Sequence, residues 1–402
     1  MPSLPASADR LFAAAVRVNG EDGAEMYGCI RSITVDEDLD VGTSFSIELA
    51  ACRNEDGSWP YIGDEQLRVW NRVTIIAIFP TQTEIVVDGY ISHLTVATDP
   101  QGTHVTAQIR GVDASYALNL EDKRRIWIGK TYEEIVEAIL TENELVPRIT
   151  PPEPAPPAHT VAQRGTDLQL IRELARRRGY DFFVSGATAF FRPPNLEGAP
   201  QKLIAVNFGD ESNCTQISID ADGTAPTAAA SEFLDEMTGE YAASNAESSG
   251  LPDLGTSPLA GLRGGAGLSQ RAVVARRIGG LTQARADDYG AGVLRRGGFW
   301  LIARGQLNGL RYGRVLRVRR TVTVKGLGST YNGVYYVRKV RHQMTDRTYT
   351  MDFELARNAI DALGSEDYTG EGAESGAPPA AGDAVDPDLA PVAESGPRVM
   401  AA

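Results

Sequence analysis

The sequence is poor in several features on which common classes of protein depend. It has three cysteines among 402 residues, Cys29, Cys52 and Cys214. They are too few and too scattered for a disulfide framework or a paired-cysteine zinc site, so we expect reduced, buried thiols. No run of about 18 apolar residues is present, and we therefore expect no transmembrane helix. The opening MPSLPASADR lacks a basic segment followed by an apolar one, so no secretory signal is expected.

Motifs for nucleotide, metal or hydrolytic chemistry are also missing. The Gly-Lys-Thr triplet at residues 129–131 matches half of a phosphate-binding loop, but Arg124 stands where the first glycine is required. There is no GxSxG or HExxH motif. The four histidines are far apart, and His93 and His342 lie in strand patterns typical of packed residues. We predict no catalytic residue, no cofactor and no metal, although sequence alone leaves a paired-carboxylate glycosidase site open.

Charge is present in quantity and is divided unevenly along the chain. The whole sequence has 39 Lys and Arg against 53 Asp and Glu, a net charge of −14. Residues 1–270 have a net charge of −19, residues 271–347 of +14, and residues 361–402 of −8. A basic region between acidic ones indicates a surface that meets a partner of opposite charge.

Two parts of the chain have the alternating pattern of β-strands. In the first 110 residues this pattern predicts five to seven short strands in a barrel or sandwich, with Asp88-Gly89 as a two-residue hairpin turn. Asn332-Gly333 predicts another hairpin in the second part. The strands expected in the second part are Phe299–Ala303, Gly313–Lys325, Gly333–His342 and Thr348–Leu355.

Two helices are predicted between the β parts, each by a capping box at its start. Thr131 is followed by Glu134, and Thr166 by Gln169, the spacing at which side chain and backbone exchange hydrogen bonds. The proline-rich stretch 147–157 cannot continue a helix and is expected to run extended.

The rest of the chain has weaker patterns. Residues 222–270 are rich in Ala, Gly, Ser and Pro, which predicts a long loop with at most one short helix near Ser231–Tyr241. Residues 284–296 have a helical pattern. Beyond residue 361 the composition predicts an irregular acidic tail that is disordered in isolation.

Five cations of the basic region are the candidate interface or lumen residues. Within Arg314–Lys325, one face of a strand would present several of them, and the next strand would add more. They are Arg317, Arg319, Lys325, Lys339 and Arg341. Their partner would be DNA, an acidic protein or this chain's own acidic region; the alternative is a solvated face without a partner.

Four stretches, in the same order along the chain, resemble the phage tail baseplate hub family. They are DEDLDVGTSFSIELA (36–50), the segment from VTAQIRGVDASY to EEIVEAIL (105–140), RGTDLQLIRELARRRGYDFFV (164–184) and NGVYYVRKVRHQMTDRTYTMDFELARNAI (332–360). The family includes the late control gene D proteins, the myophage baseplate hub and the hub part of VgrG from type VI secretion.

The resemblance implies a mainly β fold with an α+β insert. Two β-barrel domains of tail-hub type would be joined by an α/β segment and followed by an acidic irregular tail. The expected domains are a first β-barrel at 1–111, an α/β segment with two helices at 112–200, an irregular insertion at 201–270, a second, basic β-barrel at 271–360 and the tail at 361–402.

The same resemblance implies a structural, non-enzymatic role in assembly. Three chains would form a pseudo-sixfold ring that joins a sixfold tail tube or adaptor above to a separate threefold spike below, beside baseplate wedge proteins. The expected location is a virion tail baseplate or a contractile injection particle assembled in the host cytoplasm, with nucleic acid only as passing cargo. Two alternatives from other classes are a tail-associated cell-wall hydrolase and a β-barrel that binds nucleic acid or another charged ligand.

Overall fold

A computed structural model gives the fold of most of the chain. It describes residues 13–22, 26, 29–52, 65–79, 82–98, 104–152, 158–235, 238–275 and 282–369. The fold is mainly β, with 49% strand and 21% helix. Most of the acidic tail and the centre of the proline-rich stretch lie outside the described residues.

The described residues of the first β region form seven strands. They are β1 (Ala13–Val18), β2 (Glu21–Asp22), β3 (Ile30–Asp38), β4 (Gly42–Cys52), β5 (Arg72–Ile78), β6 (Thr83–Thr98) and β7 (His104–Asp113). Burial alternates along several of these strands, as in β5, where Val73, Ile75 and Ala77 are buried and their neighbours are not. This pattern places one face of each strand in the core, and it confirms the predicted β region.

An α/β unit follows the first β region. Its elements are β8 (Asp122–Lys130), α1 (Tyr132–Glu142), β9 (Val146–Ile149), β10 (His159–Thr166), α2 (Asp167–Arg178), β11 (Asp181–Ser185) and β12 (Thr188–Arg192). Both predicted capping boxes are present, at Thr131 with Glu134 and at Thr166 with Gln169. Gly179 ends α2 in the left-handed conformation, with φ of 67°, which glycine adopts without strain.

The remaining elements form the second β region and a small sheet beside it. They are β13 (Gln201–Ala205), β14 (Cys214–Ala221), β15 (Ala228–Leu234), β16 (Tyr241–Ala246), β17 (Ser257–Pro258), α3 (Leu259–Gly265), β18 (Ala272–Ala275), α4 (Gln283–Gly297), β19 (Leu301–Asn308), α5 (Gly309–Tyr312), β20 (Thr321–Lys325), α6 (Gly328–Tyr331), β21 (Gly333–Met344), β22 (Tyr349–Arg357) and β23 (Ala359–Ile360).

One strand, β21, joins the two β regions into a single 13-stranded sheet. The strand order is β14-β19-β22-β21-β3-β4-β7-β6-β5-β1-β2, and β20 and β13 branch from β21. One edge of β21 pairs first with β20 and then with β3, both antiparallel. A single hydrophobic cluster runs through both regions, from Val16 and Ile47 on one side to Leu307 and Leu355 on the other.

The first predicted hairpin dipeptide is wrong, and the second is right about the antiparallel pairing of β20 with β21 but wrong about the turn. Asp88 and Gly89 lie within the 16-residue strand β6. Glycine is needed there because a Cβ on Gly89 would lie 2.4 Å from the carbonyl oxygen of Val112 on the neighbouring strand. Asn332-Gly333 is not a two-residue turn either, since residues 326–332 connect β20 to β21 and include α6.

The predicted loop at 222–270 is also wrong, because it contains β15, β16 and α3. The strands β15 and β16 form an antiparallel hairpin where a short helix was expected. Their small side chains pack closely on α4, where the ideal Cβ position of Gly290 is 2.8 Å from the Cβ of Ala246. Small residues that fit a close contact make little hydrophobic signal in a sequence.

Candidate functional site: the seam between the two β regions

The pairing of β3 with β21 places acidic residues of the first β region beside basic residues of the second. Asp38 lies opposite Lys339, and Asp36 lies opposite Arg341. The Lys339 Nζ is 3.3 Å from Asp38 Oδ2, and the Arg341 Nε is 2.6 Å from Asp36 Oδ1. All four side chains are partly exposed, so each pair contributes about 0–1 kcal/mol.

Between these two pairs, Glu37 points into the core and is almost fully buried. Its Oε1 lies 3.3 Å from Arg317 Nη1 and 3.5 Å from the Nε2 of the buried His342. Burial alone would raise the pKa of Glu37, but the His342 ring and the charges of Arg317 and Arg319 lower it below its ordinary value. The Nδ1 of His342 is 2.9 Å from the hydroxyl of Tyr349. Glu37 is therefore a buried carboxylate held ionised by the opposite β region.

The residues before β20 are not a strand as predicted. Residues 313–320, the arginine segment, are irregular, and only residues 321–325 pair in the sheet. Gln201 fixes the backbone of Arg317 by accepting from its N–H at 2.8 Å and donating to its carbonyl at 2.9 Å. At the end of the segment, the N–H of Arg319 donates to the carbonyl of Val337 and the N–H of Val337 donates to the carbonyl of Arg320, both at 2.9 Å. The expected alternation of faces is absent because these few bonds do not form a continuous ladder.

Arg317 and Arg319 reach from the arginine segment to the first β region. Arg317 donates to the carbonyl of Val86 at 2.8 Å and also to that of Ile85. Arg319, at a φ of 63°, donates to the carbonyls of Asp38 and Leu39 at 3.1 and 3.2 Å. The contacts of Arg319 satisfy carbonyls at the turn after β3, and those of Arg317 satisfy carbonyls of β6.

Arg319 also contacts the α/β unit. Its guanidinium carbon lies 4.9 Å from the centre of the Phe183 ring, a cation–π distance. Two residues away on β11, the buried Asp181 accepts a hydrogen bond from the hydroxyl of Tyr336 on β21. Burial raises the pKa of Asp181 despite that hydrogen bond and the charge of Arg319. The segment thus links all three parts of the chain.

Lys325 lies away from the seam, at the end of β20. Its Nζ is 2.5 Å from the exposed carboxylate of Glu211 and 4.4 Å from the centre of the Phe208 ring. It lines an open cavity of about 450 Å³ together with Phe208, Asn332 and Tyr368. Each of the five predicted cations therefore contacts a group within the same chain, four of them in the first β region. A role at a ring interface or lumen stays a prediction.

Two buried arginines were not predicted as structural centres. Arg178 lies in the last turn of α2, and its Nη1 is 2.7 Å from Asp288 on α4 while its Nη2 is 3.0 Å from Glu133 on α1. Burial raises the pKa of Asp288 although Arg178 opposes the change. The sequence has no local sign of this contact, because Arg178 and Asp288 are 110 positions apart.

The second buried arginine, Arg357, is fully enclosed and binds backbone instead of carboxylate. It donates to the carbonyls of Leu254, Asn332 and Asp361 at 3.0, 2.9 and 3.1 Å. These three carbonyls belong to three separate connecting segments. The Arg357 side chain thereby holds these segments around the end of β22. It donates to carbonyls that would otherwise be buried without a hydrogen-bond partner.

Features of catalytic and metal sites are scarce in the described part of the chain. No group of three or more His, Cys, Asp or Glu residues there is placed to hold a metal ion. Cys214 is buried, which raises the pKa of its thiol to about 11, and Cys29 is partly buried and free. None of the described helices is long and apolar enough to cross a bilayer.

Solved structures with the same fold are phage tail proteins and a secretion-system component. A prophage MuSo2 43 kDa tail protein from Shewanella oneidensis matches with a TM-score of 0.59 and 12% identity over 87% of this chain and 100% of that chain. A tail protein from Neisseria meningitidis MC58 matches with a TM-score of 0.59 and 13% identity over 86% of this chain and 97% of the other. The predicted tail-hub type of fold is thereby confirmed.

A third structure with this fold is the Escherichia coli c3393 protein. It is described as a component of the type VI secretion system with structural similarity to the T4 bacteriophage tail proteins gp27 and gp5. The TM-score is 0.51, with 12% identity over 85% of this chain and 76% of that chain. At 12% sequence identity, this similarity shows a shared fold.

The family of the chain is defined by its sequence, independently of the structural similarities. The family model described as the Alg8 N-terminal domain matches residues 8–346, well over half of the chain. The chain belongs to this family. No curated protein matches the sequence.

Proposed function

We propose that this chain is a structural hub of a phage tail or of a phage-derived contractile injection system. Three copies form a pseudo-sixfold ring, which joins a sixfold tube or adaptor to a separate threefold spike. The observation that carries the proposal is the match to the whole length of a 43 kDa prophage tail protein, with both β regions and the α/β unit included. A fold shared over all three parts supports a shared architectural role, although fold alone does not decide function.

The seam supports this role physically. An adaptor between two assemblies must keep its own parts in fixed positions when it is loaded from either side. Here the two β regions share a sheet and a core, and Arg317 closes their junction over the buried Glu37. Displacing Arg317 from that junction would leave Glu37 buried without its partner, which is strongly unfavourable.

The proposal is tested by assembly with the proteins encoded beside this chain. The full chain is measured by light scattering alone and then with the tube protein, the spike protein or both. The proposal expects a trimer that binds the tube protein and the spike protein at the same time. A chain that stays monomeric and joins neither protein would contradict it.

The same preparations test the two alternatives. A tail-associated hydrolase would release soluble muropeptides from purified cell walls, and a nucleic-acid-binding protein would retain DNA in a salt-dependent way. The hub proposal expects neither result. If the chain released muropeptides, and if one carboxylate substitution abolished the release, the chain would instead be assigned as an enzyme.

A further inference from the structure

The α/β unit has an outer face of unusual composition. The β8–β10 ribbon, residues 122–130 and 159–166, is a two-stranded antiparallel sheet whose inner face packs on α1 and α2 through Trp127. On its outer face Ile126 and Ile128 are 66% and 75% exposed. Two neighbouring aliphatic side chains left in water on one face of a strand mark a candidate contact surface.

Two arginines on the same face have no anionic partner among the residues that the structure describes. Arg124 and Arg164 lie directly opposite each other in the pairing of β8 with β10. Like charges in this position destabilise a strand pair. Neither guanidinium is in an ion pair with a carboxylate of the described residues. The ribbon thus combines exposed apolar area with uncompensated positive charge, and a carboxylate from outside would relieve the repulsion.

A surface of opposite charge lies on the β15–β16 hairpin, residues 228–234 and 241–246. Its inner face packs on α4, where Phe233 and Ala286 are buried together. Its outer face pairs Leu234, 51% exposed, with Tyr241, 90% exposed. The exposed Glu232 lies on the same face, and the exposed Glu240 precedes Tyr241. This hairpin offers an apolar pair flanked by carboxylates.

We propose that the β8–β10 ribbon of one copy docks on the β15–β16 hairpin of the next copy. Both outer faces are exposed within a single chain, so each needs an occupant from outside it. Ribbon against ribbon would bring four guanidinium groups together, which disfavours a twofold contact. Ribbon against hairpin pairs Arg124 and Arg164 with Glu232 and Glu240 and covers both apolar pairs. Such a head-to-tail contact generates a closed ring when the rotation between successive copies closes on itself. The inference rests on the proposed function, whose ring it explains.

The test is an exchange of charge in the full chain, read by sedimentation equilibrium. One variant carries Arg124→Glu with Arg164→Glu, and a second carries Glu232→Arg with Glu240→Arg. We expect each to weaken self-association on the order of 100-fold, since like charges then meet across the contact. A third variant with all four substitutions restores opposite charges and should recover the wild-type mass. Reversal of the exposed Arg68 and Arg347 is the control and should leave the mass unchanged.

The outcomes separate this inference from the proposed function. Wild-type mass in both double variants, or no recovery in the fourfold variant, would overturn the contact. A wild-type chain that is monomeric at every concentration would also overturn it, although binding of tube and spike proteins would still support a hub. Rescue in the fourfold variant without binding to either protein would keep the contact and contradict the hub.

Discussion

Cations in two regions of this molecule have the same charge and opposite surroundings. In the seam, Arg317 meets a buried carboxylate and two backbone carbonyls of the same chain. On the β8–β10 ribbon, Arg124 and Arg164 face each other and solvent. The difference teaches that net charge along a sequence does not locate an interaction surface. Four of the five candidate cations of the +14 region contact the first β region, whereas Arg124 and Arg164, which have no ion pair among the described residues, lie in the acidic part of the chain.

The largest effect on stability is expected at Arg317. Replacement Arg317→Met leaves Glu37 buried without its guanidinium partner, which should lower the free energy of unfolding by about 3 kcal/mol. Chemical denaturation measures the change. Arg341→Met is the matched control, because its partner Asp36 is partly exposed, and a loss of about 0.5 kcal/mol is expected there. Equal losses of stability in the two variants would show that the buried Arg317–Glu37 pair contributes no more than the exposed Arg341–Asp36 pair.

The next effect is a dependence on pH that belongs to Glu37. Its pKa is below the ordinary value of 4.5 in the folded chain, so its ionised form adds stability above about pH 4.5. That contribution is lost as the pH falls through the folded pKa. The free energy of unfolding of the wild type minus that of Glu37→Gln should therefore shrink as the pH is lowered from 6 to 3. A difference that stays constant or grows over this range would contradict the account.

A smaller effect is expected for the exposed ion pairs of the seam. Lys339→Ala should cost no more than about 1 kcal/mol, since Lys339 and Asp38 are both partly exposed. The loss should also diminish in high salt, which screens exposed pairs. Denaturation in low and high salt measures both properties. The Arg317→Met loss is the internal reference and should change less with salt.

The smallest effect on stability is expected at the ribbon. Arg124→Ser removes one of two opposed like charges and should change the free energy of unfolding by no more than about 0.5 kcal/mol. The same substitution should weaken self-association. Arg317→Met should not weaken it under conditions in which that variant is folded. Denaturation and sedimentation of both variants measure this separation. A ribbon variant that unfolds easily and still assembles would reverse the comparison.

The sequence predicted contacts between neighbouring residues better than contacts between residues far apart in the chain. The capping boxes at Thr131 and Thr166 depend on residues three positions apart, and both formed as expected. Arg178 with Asp288, and Arg317 with Glu37, depend on contacts between residues more than 100 positions apart. Such pairs leave no periodic pattern, so the sequence indicated a charged surface and left this chain's own acidic region as one of three possible partners, without the residues that pair.

Two of the predictions of secondary structure are wrong for the same physical reason. Asp88-Gly89 has the residues of a hairpin turn, but its glycine is required by a close neighbouring backbone within β6. The hairpin β15–β16 has the composition of a loop, but its small residues are required by close packing on α4. In both places the sequence meets a spatial constraint from a distant segment, and local preference is a poor guide to it.

The central claim is that three copies of this chain form a ring between a tube and a spike. Electron cryomicroscopy of the full chain bound to both partner proteins tests it most directly. The account predicts a threefold ring, with the β8–β10 ribbon of each copy against the β15–β16 hairpin of the next and the two partners on opposite faces. A single copy bound at the side of the tube, with both surfaces in solvent, would contradict it.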